Sequence, residues 1–226
     1  MSERLNKYLA FHLGLSRREA DDLISAGKVT VAGETAVLGG RVEEGQPVTV
    51  HNKRIAEKST YSYIALNKPI GYVSSRKQQG DNPTIYSLLP ETLHSLKPVG
   101  RLDKDSSGLL LLTDDGDFAF QMTHPKFYKV KTYDITLNKA LEPLHQQMIS
   151  DYGIQLEDGP SKLHLERVGD DRTTWIVTMH EGRNRQIRRT FSALGYTVTK
   201  LHRTTFGTYG LNNLKPGEFE AVQVHL

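Results

Sequence analysis

The sequence predicts an α+β protein with two domains: a small helix-pair domain, then a larger domain built on a mixed, mostly antiparallel sheet with flanking helices. Apolar residues first recur at helical spacing, and further along the chain they follow the patterns of β-strands. A polar, charged segment at residues 52–60 separates the two regions and predicts a linker. We therefore expect one domain over residues 1–58 and the other over residues 59–226.

The first domain is expected to begin with two helices. Apolar side chains three or four positions apart predict a helix over residues 4–13. A second helix is predicted from the capping-box pattern of Ser16 and Glu19 to Gly27, because glycine commonly ends helices. Short strands are then predicted at residues 29–31 and 48–50.

Strand patterns dominate the second domain. Strands are predicted at residues 61–66, 109–113, 131–137, 175–179, 196–201 and 220–225. Helices are fewer and are predicted at residues 117–122, 142–152 and 185–194. Because strands and helices do not alternate regularly, an α+β sheet is favoured over a doubly wound parallel fold.

The composition excludes several kinds of site and location. The sequence has no cysteine, which excludes disulfides, thiolate metal sites and cysteine nucleophiles. No run of about 18 apolar residues is present to cross a bilayer, and the first residues lack the apolar segment of a signal peptide. We therefore expect a soluble, cytoplasmic protein.

Positive charge is concentrated in one part of the sequence. The whole chain has a formal net charge of only +3. From Glu181 to Arg203, however, one acid is accompanied by six basic residues, which gives a local net charge of +5. The six are Arg183, Arg185, Arg188, Arg189, Lys200 and Arg203. Such a cluster predicts a surface that contacts phosphates.

The most informative segment is residues 100–116, where a polar loop precedes four consecutive leucines. Its spacing resembles a calcium loop with ligands at Asp103, Asp105, Ser107 and Asp114, but the leucines predict a strand where that loop should continue. A second interpretation, that the acids only cap a turn, is expected for Asp105 and Asp114. The third is that Asp103 is a reactive carboxylate held in place by the buried strand.

The chain resembles the RsuA/RluB group of ribosomal RNA pseudouridine synthases in four motifs that occur in the family's order. They lie at residues 67–72, 100–113, 131–133 and 181–189. The resemblance implies the pseudouridine synthase fold and an isomerase that converts a uridine of ribosomal RNA to pseudouridine. It also implies that no metal and no cofactor takes part.

The same resemblance implies roles for individual residues. Asp103 would be the catalytic carboxylate, and it would either attack the anomeric carbon or remove a ribose proton; both remain open. Tyr133 would stack on the uracil, and Ile187 would exclude water beneath the base. Arg188 would pair with Asp103 and favour its charged form.

Further residues are expected to contact the RNA. The target uridine must leave its stack or come from an unpaired loop, and Arg101, two residues before Asp103, is a candidate to occupy the space that an extruded base vacates. Phosphate contacts are expected from Arg183, Arg185 and Arg189. The partner implied is ribosomal RNA, bound by a monomer. The rival interpretation is a noncatalytic RNA-binding or ribosome-assembly protein on the same scaffold, against which the presence of Asp103 argues.

The first domain resembles the RNA-binding domain named after ribosomal protein S4. The resemblance rests on residues 4–9, 15–20 and 27–33. In that family the basic face of the helix pair and the loop after it bind structured RNA. The residues expected near phosphates are therefore Arg4, Lys7, Arg17, Arg18 and Lys28.

Overall fold

The computed structural model describes residues 2–56, 58–76 and 79–224 and contains two compact units, residues 1–62 and 63–226. Each unit has its own hydrophobic core. A helix pair with short strands forms the N-terminal unit, and a mixed, mostly antiparallel sheet with helices forms the C-terminal unit. The predicted fold class is therefore confirmed.

The described residues of the N-terminal unit form two helices, α1 (Leu5–Leu13) and α2 (Arg17–Ser25), with short strands around them. The strands are β1 (Ser2–Arg4), β2 (Val29–Val31), β3 (Glu34–Thr35), β4 (Arg41–Glu43), β5 (Val48–Val50) and β6 (Lys53–Arg54). Strands β3, β2, β5 and β6 form an antiparallel sheet in that order, and β1 pairs with β4.

The predicted capping box at the start of α2 is confirmed. Ser16 Oγ accepts a hydrogen bond from the amide of Glu19 at 3.2 Å, and the Glu19 carboxylate accepts one from the amide of Ser16 at 2.6 Å. Asn6 of α1 donates to the carboxylate of Asp21 of α2 at 3.0 Å and links the two helices. The core between helices and strands contains Leu5, Leu9, Ala20, Ile24, Val29, Val42, Val48 and Ile55.

One mixed sheet forms the body of the C-terminal unit. Its described strands, with one separate hairpin, are β7 (Tyr63–Lys68), β8 (Lys97–Pro98), β9 (Ser107–Thr113), β10 (Lys131–Leu137), β11 (Ile154–Leu156), β12 (Gly159–Ser161), β13 (His164–Val168), β14 (Thr174–Met179), β15 (Val198–Phe206), β16 (Tyr209–Gly210) and β17 (Phe219–Ala221). The order across the sheet is β13, β14, β10, β15, β9, β7, β17; β8 and β16 pair with β9 and β15, and β11 with β12 forms the hairpin. Among the described strands, only β9 and β15 pair in parallel.

Helices and turns connect the strands of this sheet. The α-helices are α3 (Gly116–Thr123), α4 (Pro143–Gln147) and α5 (Gln186–Ser192). Short 3-10 turns lie at Ile85–Leu88, Glu91–Leu93 and Pro125–Phe127. Within the ranges that the structure describes, no helix is long and apolar enough to cross a membrane.

The four leucines of β9 place it in the interior of the sheet. Leu110 and Leu112 pack on one face, in the cluster that contains Trp175, while Leu109 and Leu111 pack on the other. Because both faces of β9 are buried, its apolar residues are consecutive instead of alternating. The strand predicted from this run is confirmed and begins two residues earlier than expected.

Several elements differ from the predictions. The helix expected over residues 142–152 consists of α4 followed by a π-helical turn, Met148–Tyr152. Strands β11, β12 and β13 are not predicted from the sequence. They are short and contain polar or charged residues, so they show no clear apolar pattern. Of the strand expected over residues 220–225, only the start is observed, in β17 (Phe219–Ala221); residues 222–224 are not in a strand, and residue 225 lies outside the described residues.

Gly108 is a point of close approach between β9 and β15. Its φ is +104°, and a Cβ built on it would lie 2.2 Å from the carbonyl oxygen and 2.5 Å from the amide nitrogen of Arg203. These are backbone atoms of a neighbouring strand, which cannot turn aside as a flexible side chain can. Glycine is therefore required both by the left-handed φ and by the approach of β15.

Replacing Gly108 with alanine is expected to destabilise the C-terminal unit by about 3 kcal/mol or more, because the added Cβ must displace a paired strand. Urea unfolding followed by the fluorescence of Trp175, the only tryptophan in the sequence, reports on this unit. Gly169→Ala is the matched control: Gly169 has φ +76° and nothing within 4 Å of its Cβ position. The free energy of unfolding of that variant is expected to fall by roughly 1 kcal/mol, the cost of a positive φ for alanine. Equal losses in the two variants would contradict the role given to β15.

Candidate active site

The polar loop before β9 is fixed by a buried lysine. Lys68, at the end of β7, is fully buried, and its Nζ donates hydrogen bonds to the carbonyl oxygens of Pro69 at 3.0 Å, Asp103 at 3.0 Å and Ser106 at 2.6 Å. Burial lowers the pKa of Lys68 to about 8, although the negative charges of Asp103 and Asp105 act in the opposite direction. All three donors of the ammonium group are used, so the loop backbone has little freedom around Asp103.

A second set of contacts holds the loop from the segment that follows β7. Ser74 Oγ donates to the carbonyl oxygen of Leu102 at 2.9 Å. The amide of Gly71 donates to the carbonyl oxygen of Lys104 at 2.8 Å. Within the loop, the amide of Ser106 donates to the carbonyl oxygen of Asp103 at 3.1 Å. The motif at residues 67–72 therefore supports the loop that carries Asp103.

Asp103 lines a cleft of about 490 Å³ in the C-terminal unit. The loop, β10, the start of α5 and β15 all contribute to its walls. Residues that line the cleft include Arg101, Asp103, Tyr128, Tyr133, Arg183, Arg185, Ile187 and Arg203. The structure thus brings Asp103, Tyr133 and Ile187, which were predicted as site residues from separate motifs, into one cleft.

Arg185 connects the two acids of the loop. It forms a bidentate pair with Asp105, with both N–O distances at 2.9 Å, and its Nη1 lies 3.4 Å from Asp103 Oδ2. Arg188 Nε lies 3.3 Å from Asp105 Oδ2, and Arg188 also donates to the carbonyl oxygens of Asp105 at 2.8 Å and Val198 at 2.6 Å. The hydrogen bonds from Arg185, assisted by the charge of Arg188, lower the pKa of Asp105.

This arrangement differs from the expected pairing. Among the ion pairs of the described residues, Arg188 pairs with Asp105, and Arg185 is the partner of Asp103. Asp105, which was expected only to cap the turn, binds both guanidinium groups. Arg185 is the N-cap of α5 and has a φ of 47°, outside helical geometry. Arg188 lies within the helix, and its side chain donates hydrogen bonds to β15 and to the loop. The catalytic role given to Arg188 stays a prediction.

Tyr133 and Ile187 form buried parts of the cleft. Tyr133 lies on β10 opposite Arg203 of β15, and only 7% of its surface is exposed. Ile187, in the first turn of α5, is 4% exposed. Both line the cleft while belonging to the main hydrophobic core, so the core fixes their positions.

Arg183 and Arg189 are occupied by contacts within the protein. Arg189 forms a bidentate pair with Asp158 at 3.0 and 2.7 Å, and Arg183 Nη1 lies 2.9 Å from the same carboxylate. Arg183 also donates to the carbonyl oxygens of Gly159 and Pro160 in the β11–β12 hairpin. The hydrogen bonds from Arg189 lower the pKa of the Asp158 carboxyl. These two arginines brace the hairpin against the start of α5, and their predicted phosphate contacts stay predictions.

The remaining predicted RNA-binding residues are more accessible. Arg101 is exposed at the cleft and forms no side-chain hydrogen bond or ion pair with any described residue. In the N-terminal unit, Lys7 is half-buried and lies 4.0 Å from Glu3. The other four predicted residues of that unit are exposed and form no ion pair with a described side chain; they are Arg4, Arg17, Arg18 and Lys28.

Two structural groups at the site were given no role by the sequence analysis. Lys68 is one. A lysine at the end of an apolar strand is a weak signal for a buried cation, and the need for one here comes from the three carbonyl oxygens that surround its ammonium group. The other is a buried hydrogen-bond network in which Gln186 and Thr190 of α5 bind Ser161 Oγ at 3.1 and 2.7 Å.

In the described part of the chain, no group of three or more His, Asp or Glu side chains is arranged to hold a metal ion.

Family models match both units of the chain. A model described as RNA pseudouridylate synthase matches residues 62–193, and one described as S4 domain matches residues 3–48. A crystal structure of a pseudouridylate synthase, 34% identical in sequence, superimposes with a TM-score of 0.70 over 97% of this chain and 96% of that one.

Two curated relatives are similar over nearly their whole length. The ribosomal large subunit pseudouridine synthase B of Bacillus subtilis (strain 168) is 37% identical over 99% of this chain and 93% of that protein. The ribosomal small subunit pseudouridine synthase A of Vibrio parahaemolyticus is 36% identical over 96% of this chain and 94% of that protein.

Lys68→Met is expected to lower the unfolding free energy of the C-terminal unit by about 2–4 kcal/mol at neutral pH, because three buried carbonyl oxygens lose a charged donor. The measurement is urea unfolding followed by Trp175 fluorescence. Lys200→Met, which removes an exposed lysine from β15, is the control and is expected to change stability by less than about 0.5 kcal/mol.

The same variant tests the pKa of Lys68, which is about 8 in the folded chain against 10.5 for an ordinary lysine. Between these pH values the unfolded chain binds more protons than the folded chain, so Lys68 makes the unfolding free energy rise with pH. The stability advantage of the wild type over Lys68→Met is therefore expected to widen from about pH 8 to about pH 10. An advantage that is constant with pH would show that the amine titrates normally.

Proposed function

The chain belongs to the RNA pseudouridylate synthase family, and we propose that it converts one specific uridine of ribosomal RNA to pseudouridine with Asp103 as the catalytic carboxylate. The family predicted from the sequence motifs is thereby confirmed, and the chain is an RNA pseudouridine synthase. The observation that supports the role of Asp103 is its position: its backbone carbonyl is held by Lys68, and the residue lines the cleft.

Ribosomal RNA is proposed as the substrate because the curated relatives named for a ribosomal subunit match along the whole chain. Relatives of nearly equal identity carry large-subunit and small-subunit names. Either RNA could therefore contain the target uridine.

The reaction explains why one carboxylate is required. The bond between C1′ and N1 breaks, the uracil turns, and a bond forms between C1′ and C5, with no net oxidation and no net hydrolysis. A carboxylate beside the ribose can attack C1′ as a nucleophile or remove a ribose proton, and Asp103 is proposed for that position in either case. The chemistry itself calls for no metal and no cofactor.

Neighbouring residues are proposed to prepare the carboxylate and the base. The guanidinium groups of Arg185 and Arg188 lie at the loop that carries Asp103, where positive charge favours the ionised form. Tyr133 would stack on the uracil while the base is detached, and Ile187 would keep water from its other side. Both side chains are buried and line the cleft, which suits a role in which the base must be held in one orientation.

The uridine must leave a helical stack or come from an unpaired loop before C1′ can reach Asp103. Arg101 is exposed at the cleft and has no side-chain partner among the described residues, so its side chain is available to occupy the space left by the extruded base. We propose that the enzyme acts as a monomer. We place the enzyme in the cytoplasm, where ribosomal RNA is found.

We propose that residues 1–58 are an RNA-binding domain and residues 59–226 the catalytic domain. The exposed cations of the N-terminal unit, among them Arg17, Arg18 and Lys28, are free to meet phosphates. The noncatalytic alternative, an RNA-binding or ribosome-assembly protein, predicts binding without turnover.

Asp103→Asn is expected to fold and to bind RNA but to make no pseudouridine, because the amide is similar in size yet cannot act as base or nucleophile. Pseudouridines are mapped in both ribosomal RNAs from a strain that lacks the protein and is complemented with wild type or variant. The expected result is one uridine that is modified with the wild type and left unmodified with Asp103→Asn.

Asp105→Asn is the matched control for this experiment, since it alters the other acid of the loop. It is expected to reduce the rate without abolishing it, because Arg185 and Arg188 lose their shared partner while Asp103 remains. Comparable turnover by Asp103→Asn and the wild type would rule out the proposed mechanism. Ribosomal RNA that is identical in all strains would favour the noncatalytic alternative.

Removing residues 1–58 is expected to leave a folded unit that modifies its uridine slowly and binds RNA more weakly. Each phosphate contact that is lost should reduce the slope of log affinity against log salt by about 0.7–0.9. Binding of a ribosomal RNA fragment is measured at several salt concentrations for the full chain and the truncated chain. Unchanged affinity and slope would show that the N-terminal domain does not anchor RNA, and an insoluble product would show that the proposed boundary is wrong.

A further inference from the structure

We propose that an aromatic surface beside the cleft binds an unpaired base next to the target uridine, and that this base stacks on Tyr128. The surface, called the aromatic rim, consists of Phe120, His124, Lys126, Phe127 and Tyr128, at the end of α3 and in the 3-10 turn after it. The inference rests on the proposed function, because its ligand is an RNA whose uridine occupies the cleft.

The first observation is the exposure of the rim. Phe120 is 47% exposed, Phe127 37% and Tyr128 73%. Single exposed aromatic residues are ordinary on protein surfaces, but three within nine residues form a patch that folding alone does not explain. Phe120 and Phe127 meet edge to face with ring centroids 5.8 Å apart, and the ring of His124 lies 4.7 Å from that of Phe120. Phe120, His124 and Phe127 therefore form one group of rings in contact, and Tyr128 follows Phe127 directly in the chain.

The second observation is the position of Tyr128. Tyr128 lines the cleft although most of the residue is exposed, so it stands at the cleft mouth. Its backbone has φ 47° and ψ 39°, a left-handed conformation that is unfavourable for a tyrosine and that glycine would adopt freely. The amide of Tyr128 donates to the carbonyl oxygen of Pro125 at 3.1 Å, which helps to hold this conformation. An aromatic residue kept in such a place indicates a use for its side chain.

The third observation is the charge next to the rings. Lys126 Nζ lies 5.1 Å from the ring centroid of Phe120 and 4.7 Å from that of Phe127. It forms no ion pair with an acid in the part of the chain that the structure describes, so its charge is available to a phosphate. Cations beside exposed aromatic rings are the combination that binds single-stranded nucleic acid, because rings stack on bases while cations meet the backbone.

Continuity with the cleft selects RNA over other partners. When a uridine leaves the stack and enters the cleft, its neighbours lose a stacking partner and must pass the cleft mouth. If the base of one neighbouring nucleotide stacked on Tyr128, it would regain a stacking partner, and the RNA would stay open around the extruded uridine. The rim would thereby favour targets whose flanking nucleotides are unpaired.

The test measures binding of an RNA hairpin that carries the uridine identified by mapping. Tyr128→Ala is expected to weaken binding roughly tenfold, the typical effect of losing one base–aromatic stack, without changing the salt slope. Tyr128→Phe should bind like the wild type, because it retains the ring. Lys126→Gln should reduce the salt slope by about 0.7–0.9, since it removes a phosphate contact. Tyr152→Ala, which removes a tyrosine that is 77% exposed and does not line the cleft, should have no effect.

A double-mutant cycle identifies the stacked base. Hairpins with an abasic site at either nucleotide next to the uridine are compared with the intact hairpin, for wild type and Tyr128→Ala. If one of these bases stacks on Tyr128, removing both partners should weaken binding no more than removing one. Additive losses at both positions would overturn the proposal, as would unchanged affinity of Tyr128→Ala or an equal loss in Tyr128→Phe.

The remaining outcomes are also decisive. Tyr128→Asn tolerates the left-handed backbone and replaces Tyr128→Ala if the latter melts at a lower temperature. The abasic hairpins test the wild-type protein in any case, and no loss of affinity with either would overturn the proposal. Self-association that Tyr128→Ala abolishes, with RNA affinity unchanged, would show that the rim binds a second copy of the chain. Turnover by Asp103→Asn would instead refute the proposed function and leave this binding result intact.

Discussion

Three backbone carbonyl oxygens converge on the buried ammonium group of Lys68, and the position of the loop that carries Asp103 follows from this contact. Carbonyl oxygens buried without a donor are costly, and so is a buried ammonium without acceptors, so each requires the other. Lys68 lies opposite Gly108 in the β7–β9 register, and Gly108 lies opposite Arg203 in the β9–β15 register. The absence of a side chain at Gly108 thus lets β15, which lines the cleft, approach the strand that the loop enters.

The sequence predicts the elements whose pattern is local and fails where contacts are distant. Strand β9 is predictable because its leucines are consecutive, and α2 because its capping box lies within four residues. Strand β13 is not predictable, because His164, Glu166 and Arg167 interrupt its apolar residues. Its extended conformation depends on pairing with β14. Lys68 could be placed in a motif, but its burial depends on carbonyl oxygens more than 30 residues away.

The positive cluster between Glu181 and Arg203 shows the same limit for the site. Counted along the chain it has a net charge of +5, but in the fold its arginines meet Asp103, Asp105 and Asp158 from earlier segments. A guanidinium with a bidentate carboxylate partner is held in one place, which suits the positioning of a loop or hairpin more than the capture of a mobile phosphate. The sequence could predict that Asp103, Tyr133 and Ile187 share a cleft. It could not predict how the arginines divide among the three acids.

If both proposals hold, the protein would have two different means of holding RNA. The exposed cations of the N-terminal unit can neutralise phosphates of any sequence, and such binding weakens steeply as salt increases. The aromatic rim offers an uncharged surface that requires a free base, and stacking on it depends little on salt. Charge alone would hold paired and unpaired RNA alike, whereas stacking at the cleft mouth accepts only a strand whose bases are already accessible. A target uridine would therefore be chosen by the openness of its neighbours as well as by the charge that brings the RNA to the enzyme.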